Sequence, residues 1–218
     1  MAVAVSPTAA RETRATEAVT GSAALSAATA TTAVTATTAL PATPEPTTPP
    51  QATAVPEPAF ACTPGELTPA QTEGPYYKAN PPETASLLQP GMNGTKLTIT
   101  GYVLDARCEP IPGARVDLWQ ADSEGRYDNQ GYMLRGYQLT DAQGRYSVET
   151  VVPGLYPGRT RHVHVKVTAP NGPTLTTQLY FPDESANASD RIYDRQMLLN
   201  IERTTMGEEA TFNFVINR

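Results

Sequence analysis

Both histidines of the 218-residue chain, His162 and His164, lie two residues apart in the run RHVHVKV. Successive side chains of a β-strand point to opposite faces, so a strand here separates the valines from the imidazoles. We predict that Val163, Val165 and Val167 face a core and that the two histidines project together from the opposite face. Such a pair suits either an exposed, solvated sheet face or a grip on one metal ion.

A metal ion needs more than two protein ligands, and the chain has no third histidine. A three-histidine zinc site and a cupin-type site are therefore excluded by count. A zinc site that used Cys62 and Cys108 would need thiols far away along the chain. A ferrous site of two histidines and one carboxylate stays open, with Asp183 or Glu184 as the carboxylate, although the usual H-x-D/E spacing is missing.

Phenol oxygens are another source of ligands, because the chain contains ten tyrosines, several of them on glycine-rich turns. Ferric iron is a hard, highly charged acid. It would lower the pKa of a phenol from its ordinary value of about 10 and bind it as phenolate.

Five motifs together resemble the intradiol ring-cleavage dioxygenases. They run in family-like order and spacing from about Leu67 to Phe181: GPYY (74–77), VDLWQADSEGRYDN (116–129), RGYQLTDAQGRYSVETVVPGLYPGR (135–159), HVH (162–164) and TQLYF (177–181). The chain is more similar to the protocatechuate branch and its secreted-type relatives than to the catechol and hydroxyquinol enzymes, because no helical N-terminal dimerisation domain is apparent. The resemblance implies a small aromatic diol and O2 as substrates and a cis,cis-muconate as product.

The resemblance also implies roles for individual residues. Non-haem Fe(III) would be bound by Tyr127 and His162 in equatorial positions and by Tyr156 and His164 in axial positions. Tyr156 would leave the metal when the diol binds and act as a base.

Three further positions match the family's active site. Arg159 would stabilise negative charge on the ring, and Gln178, which lines the same pocket, would orient that arginine. Tyr76 and Tyr77 would lie near the entrance.

A non-enzymatic binding module of the transthyretin-like or peptidase-regulatory-like kind is the main alternative, because its strand and turn pattern also fits residues 101–156. A catalytically inactive relative is a second one. The binding-module pattern requires neither H-x-H, nor the tyrosine of EGRYDN, nor R-x-x-H. The set of four ligands therefore separates the two functions.

The elements that must position these residues are short strands. Six runs alternate apolar and polar residues between Gly, Pro, Asp and Asn turns: 96–104, 114–120, 144–152, 161–168, 174–181 and 210–217. Only one stretch, near residues 190–202, has the length and pattern of a helix. We predict an all-β, antiparallel, prealbumin-like β-sandwich.

Composition divides the chain into two parts. Residues 1–59 are mostly Ala, Thr, Pro, Val and Ser with little bulky apolar surface, so we predict a disordered segment there and one β-sandwich domain over residues 60–218. The net charge of −6 and the lack of basic runs argue against nucleic acid as a partner, and no run is apolar enough for a membrane span. A homo-oligomer is compatible with the family.

The N-terminal part also bears on location. The Ala/Thr-rich run 18–40 follows two arginines and is consistent with a signal peptide or a stalk-like linker, which favours an exported or cell-surface protein over a cytoplasmic one. Cys62 and Cys108 would form one disulfide or remain two buried thiols.

Overall fold

The computed structural model describes residues 61–218, which form nine β-strands and two short 3-10 helices. The predicted disordered segment 1–59 and the signal or stalk sequence lie outside the described residues. The strands are β1 (Lys96–Asp105), β2 (Arg115–Trp119), β3 (Arg135–Leu139), β4 (Arg145–Val151), β5 (His162–Thr168), β6 (Thr174–Tyr180), β7 (Asn200–Thr204), β8 (Gly207–Thr211) and β9 (Phe214–Ile216).

The strands form two sheets that enclose one hydrophobic core, as predicted for a β-sandwich. The first sheet has the order β4-β1-β8-β7, with β9 also paired to β1, and the second has the order β3-β2-β5-β6. The prediction of antiparallel pairing is correct for most pairs and wrong for β8 and β9, which both run parallel to β1. The six predicted runs locate six strands and miss β3, β7 and most of β8.

Strand β5 follows its period of two. Val163, Val165 and Val167 are fully buried in the core, as predicted, and the histidines project from the other face of the sheet. Fully burying a valine side chain stabilises the fold by roughly 1.5–3 kcal/mol. The valine stripe therefore fixes which face of β5 the imidazoles occupy.

The prediction of a helix near residues 190–202 is wrong. This stretch contains a 3-10 helix of three residues, Arg195–Met197, followed by β7. Its apolar side chains at Met197, Leu199 and Ile201 alternate inward with the period of a strand, and the Leu199 amide donates to the Tyr180 carbonyl of β6. Pairing with β6 therefore sets the local conformation. No helix among residues 61–218 has the length and hydropathy of a membrane span.

The N-terminal strap, residues 61–78, connects the rim of the sandwich to the outer face of the second sheet. Cys62 and Cys108 form a disulfide with a Cα–Cα distance of 5.9 Å, which decides between the two states left open above. Further along, the Gln71 amide donates to the Thr176 carbonyl of β6. The strap thereby covers the edge of β6 and delivers the GPYY motif to the histidine face.

Candidate active site

The candidate site lies on the outer face of the second sheet, near the start of β5. His164 pairs in register with Trp119 of β2 and with Gln178 of β6, and His162 pairs with Tyr180. Residues that are directly opposite on neighbouring strands share a face. Strand register therefore brings the H-x-H pair, the tryptophan of DLWQ and the glutamine of TQLYF together.

Two loops carry the tyrosines predicted to be ligands. Tyr127 lies between β2 and β3, and Tyr156 lies between β4 and β5. The loops contact each other through backbone at two glycines. Gly125 has φ of +83°, and a Cβ there would lie 2.1 Å from the Leu155 carbonyl oxygen; a Cβ on Gly154 would lie 2.4 Å from the Gly125 nitrogen. The glycines of SEGRY and PGLY are therefore needed for the loops to approach this closely.

Asp128 holds the loop that follows Tyr127. Its carboxylate accepts hydrogen bonds from the backbone amides of Gln130, Gly131 and Met133 at 2.8–2.9 Å. These bonds, led by that from Gly131, lower the pKa of Asp128 to about 2, so the carboxylate is ionised at neutral pH.

The four residues expected to be ligands converge. The Nε2 atom of His162 lies 3.2 Å from the Nε2 atom of His164 and 3.2 Å from the Tyr127 hydroxyl. The Tyr156 ring packs edge-on to Tyr127, with 5.7 Å between ring centroids. Residues 61–218 contain no cluster of three or more His, Cys, Asp or Glu side chains that could hold a metal ion. The ferrous alternative with Asp183 or Glu184 therefore has no support in the described residues.

The histidine pair is buried, with 4% of His162 and 2% of His164 exposed, so the solvated-face interpretation is wrong. Burial lowers the pKa of His162 to about 4 and the pKa of His164 well below its ordinary value, with the neighbouring imidazole adding to the second effect. Both rings are therefore neutral at pH 7, which is the form that binds metal ions.

The tautomer of His162 follows from its second nitrogen. Nδ1 lies 2.6 Å from the Thr160 carbonyl oxygen, which can only accept a hydrogen bond. Nδ1 therefore carries the proton, and the Nε2 lone pair points toward His164 and the Tyr127 oxygen. A histidine that ligates a metal is commonly oriented by a carbonyl in this way.

The side chains expected to be ligands are chemically suited to a trivalent metal ion. Two neutral imidazole nitrogens and the Tyr127 phenol oxygen meet at His162 Nε2, which lies 3.2 Å from each of the other two atoms, and the Tyr156 ring packs against Tyr127. Burial also raises the pKa of Tyr127 above its ordinary value, against the opposing charges of Arg159 and Arg135. A bound cation would reverse this shift and convert the phenol to phenolate.

The two residues of GPYY that were expected near the entrance differ in position. Tyr76 stacks on Tyr127 at 4.3 Å between centroids, and its hydroxyl oxygen lies 2.8 Å from that of Tyr156. Tyr77 packs edge-on to Trp119 at 4.9 Å between centroids, with the Lys166 ammonium 3.5 Å from the Tyr77 ring centroid. Tyr76 therefore belongs to the site, and Tyr77 supports its wall.

Arg159 and Gln178 lie together at the site, as the family pattern implied. The Nη2 atom of Arg159 donates to Gln178 Oε1 at 2.7 Å, and Gln178 Nε2 donates to the Thr72 carbonyl of the strap at 3.0 Å. The charge of Arg159 acts to lower the pKa of both histidines and of Tyr127. This arginine is therefore electrostatically close to the proposed ligands.

Sequence reasoning missed two residues of the site. Trp119, the sole tryptophan, stacks on His164 with 4.8 Å between centroids and 9° between planes. Asp190 forms an ion pair with Arg159 at 2.8 Å. The pairing of Trp119 with His164 could have been inferred from strand register. Asp190, in contrast, lies in the stretch near 190–202 for which the sequence predicts a helix.

Comparison with known proteins assigns the chain. A family model described as a dioxygenase matches residues 72–217. The chain is 30% identical over 166 residues to hydroxyquinol 1,2-dioxygenase of Rhizobium sp. (strain MTP-10005), which covers 63% of this chain and 56% of that protein. It is 33% identical over 118 residues to the protocatechuate 3,4-dioxygenase beta chain of Burkholderia cepacia, covering 46% of this chain and 50% of that one.

A solved structure is also similar. It is the dioxygenase domain of a dioxygenase carbohydrate-binding protein fusion from the cellulolytic bacterium Streptomyces sp. SirexAA-E, with a TM-score of 0.68 and 48% identity over 70% of this chain and 99% of that domain. The chain spans about half the length of the curated relatives it matches. The resemblance seen in the motifs is confirmed: this chain belongs to the intradiol ring-cleavage dioxygenase family.

Proposed function

We propose that this protein uses non-haem Fe(III) to cleave a catechol-type diol between its hydroxyl-bearing carbons, adding both atoms of O2 and releasing a cis,cis-muconate. The observation that carries the proposal is that the buried His162 Nε2 lies 3.2 Å from both His164 Nε2 and the Tyr127 hydroxyl. Family membership supports the enzymatic function over the transthyretin-like binding module.

Tyr127, Tyr156, His162 and His164 would hold the iron. Two phenolates would offset most of the charge of a ferric ion, and two neutral imidazoles would complete the set. When bound, iron would supply a Lewis acid that favours loss of both diol protons, and the ring of the resulting dianion would be electron-rich enough to react with O2.

Tyr156 is the proposed base. Its oxygen would accept the proton of one diol hydroxyl as the diol enters the site. The Tyr76 hydroxyl, 2.8 Å away, is placed to hold the Tyr156 oxygen in either protonation state, because a phenol can donate or accept a hydrogen bond.

Arg159 would stabilise the negative charge that builds up on the ring during the reaction. A guanidinium stays protonated at any working pH and presents donors in a fixed plane. Gln178 fixes the side of this plane that carries Nη2. The pair would therefore be preorganised before the diol binds.

The proposed substrate class is based on two relatives, which are named for hydroxyquinol and protocatechuate and match this chain at similar sequence identity. We propose a small aromatic diol and O2 as the reactants, with residues 60–218 as the catalytic domain. The preference for the protocatechuate branch and a homo-oligomeric state both stay predictions.

The test is oxygen consumption by iron-loaded protein with catechol, protocatechuate and hydroxyquinol, with identification of the product. We expect stoichiometric O2 uptake and a ring-opened dicarboxylate with at least one diol. Tyr127→Phe should abolish turnover. Tyr132→Phe, which changes an exposed tyrosine outside the site, should leave it unchanged. If wild-type protein with iron bound consumes no O2 with any of the three diols, the proposed function is wrong.

A further inference from the structure

A buried carboxylate behind the site contacts two catalytically important segments at once. Asp190 Oδ2 accepts hydrogen bonds from Arg159 Nε at 2.8 Å and from the Thr160 amide at 2.9 Å, and Oδ1 accepts one from the Ile192 amide at 3.0 Å. The Asp190 side chain is 2% exposed. One side chain therefore ties the guanidinium of Arg159 to the peptide that joins Arg159 to Thr160.

That peptide leads directly to a proposed iron ligand. The Thr160 amide is held by Asp190, and the Thr160 carbonyl accepts the Nδ1 proton of His162 at 2.6 Å. The Thr160 hydroxyl also donates to Asn187 Oδ1 at 2.6 Å. The amide and the hydroxyl of Thr160 are thus held by the segment 187–190, and the carbonyl of the same residue orients the His162 ring.

Arg159 is held from two sides. Asp190 binds Nε, and Gln178 Oε1 accepts from Nη2 at 2.7 Å. Two bonds on different nitrogens define the plane of a guanidinium, whereas one bond would leave it free to rotate. Of these two partners, only Asp190 carries a charge opposite to that of Arg159.

The protonation state of Asp190 suits this role. Burial acts to raise its pKa, but hydrogen bonds from the Thr160 and Ile192 amides and from Arg159 bring the pKa below its ordinary value. The carboxylate is therefore ionised at neutral pH.

We infer that Asp190 is a positioning residue. It holds the Arg159 guanidinium directly and the His162 ring through Thr160, and so fixes the orientation of both groups for the reaction. The inference rests on the proposed function for its catalytic consequence. The hydrogen bonds from Arg159 and Thr160 to Asp190 form without the iron or the diol, so the structural part of the inference can be tested on metal-free protein.

A neighbouring ion pair provides a matched control. Arg161 Nε lies 2.5 Å from Glu184 Oε1, and this pair joins the loop before β5 to the segment after β6, two residues after Arg159. Arg161 also donates to the Pro153 carbonyl, so its partners, Glu184 and Pro153, differ from those of Arg159. Glu184→Gln therefore removes a comparable ion pair without changing the partners of Arg159. Asp190→Asn removes the charge and so weakens the bond to Arg159 Nε, while it keeps an oxygen that can accept from the Thr160 amide.

The first experiment is proton exchange of the two arginine Nε–H groups, measured by NMR on metal-free protein. Asp190→Asn should speed exchange at Arg159 by at least about 10-fold and leave Arg161 unchanged, because hydrogen-bonded groups must open before they exchange. Glu184→Gln should do the reverse. Unchanged exchange at Arg159 in folded Asp190→Asn would overturn the inference.

The second experiment is turnover by the iron-loaded variants. Asp190→Asn should lower kcat by about 10- to 100-fold, with iron content retained and KM for the diol changed much less, since Arg159 acts on charge that develops during the reaction. Glu184→Gln should retain kcat within about 2-fold. If the two variants lose the same activity, or if the loss lies in KM alone, Asp190 has only a structural role.

The two hypotheses fail differently. Wild-type protein that turns over no diol would overturn the proposed function, and the exchange pattern at Arg159 and Arg161 would still decide whether Asp190 holds the arginine. Active wild-type protein with an Asp190→Asn variant that matches Glu184→Gln would overturn the positioning role alone.

Discussion

Gly125 is the position where backbone geometry most directly controls the site, and Gly125→Ala tests that control. Its φ of +83° is costly for any residue with a Cβ, about 1–2 kcal/mol. The new Cβ would also lie 2.1 Å from the Leu155 carbonyl oxygen, whereas ordinary contact begins at 3.4 Å. The two tyrosine loops must therefore separate by roughly 1.3 Å, and a misplacement of about 1 Å in an active site can cost 100-fold in rate.

Gly65→Ala is the matched control for this change. Gly65 has nearly the same φ, +85°, but no atom lies within 4 Å of a Cβ placed there. Both variants should lose about 1–2 kcal/mol of stability in chemical denaturation, with a larger loss for Gly125→Ala. Only Gly125→Ala should lose about 100-fold in oxygen consumption with the diol. Equal activity of the two variants would refute the argument that backbone contact between the loops sets the spacing of Tyr127 and Tyr156.

Three further predictions address stability and metal binding. Replacing Cys62 and Cys108 by alanine should lower the free energy of unfolding by about 4 kcal/mol, because the bond closes a loop with a sequence separation of 46; a loss below about 1 kcal/mol in urea unfolding would contradict this. The metal-free protein should lose stability as the pH falls from 6.5 toward 4, because His162 takes up a proton in the unfolded state near pH 6.5 but in the folded state only near pH 4. The loss that His162 causes is roughly 3 kcal/mol, and it should be absent from the thermal melts of His162→Asn. Trp119→Leu should weaken iron binding about 10-fold by removing the ring that stacks on His164, and unchanged affinity in a chelator competition would contradict that role.

Much of the second sheet could be predicted from the alternation of apolar and polar residues, because one face of that sheet packs on the core. The valines of β5 specify the register of that strand, and the histidines follow from it. Strand β3 escaped notice because RGYQL has no apolar alternation. The parallel pairing of β8 and β9 with β1 depends on how the chain returns after β6, which no local pattern encodes.

The site was only partly predictable, for a different reason. Spacing alone left a ferrous site, a solvated face and a phenolate site open, and the motifs for Tyr127 and Tyr156 gained meaning only from the family resemblance. Asp190 lies 31 residues from Arg159 in the chain, and the two residues meet only because the segment after β6 folds back onto the loop that carries Arg159. Long-range contacts of this kind carry no periodic signal.

The tyrosine ligands are tested most sharply by the visible absorption spectrum of the protein loaded with ferric iron, before and after anaerobic addition of a catechol. We expect a tyrosinate-to-Fe(III) charge-transfer band that shifts when the diol binds and that changes in position or intensity in Tyr127→Phe and in Tyr156→Phe. A colourless protein that demonstrably contains stoichiometric iron, or a band that is unchanged in both variants, would contradict the tyrosine ligands and with them the proposed iron site.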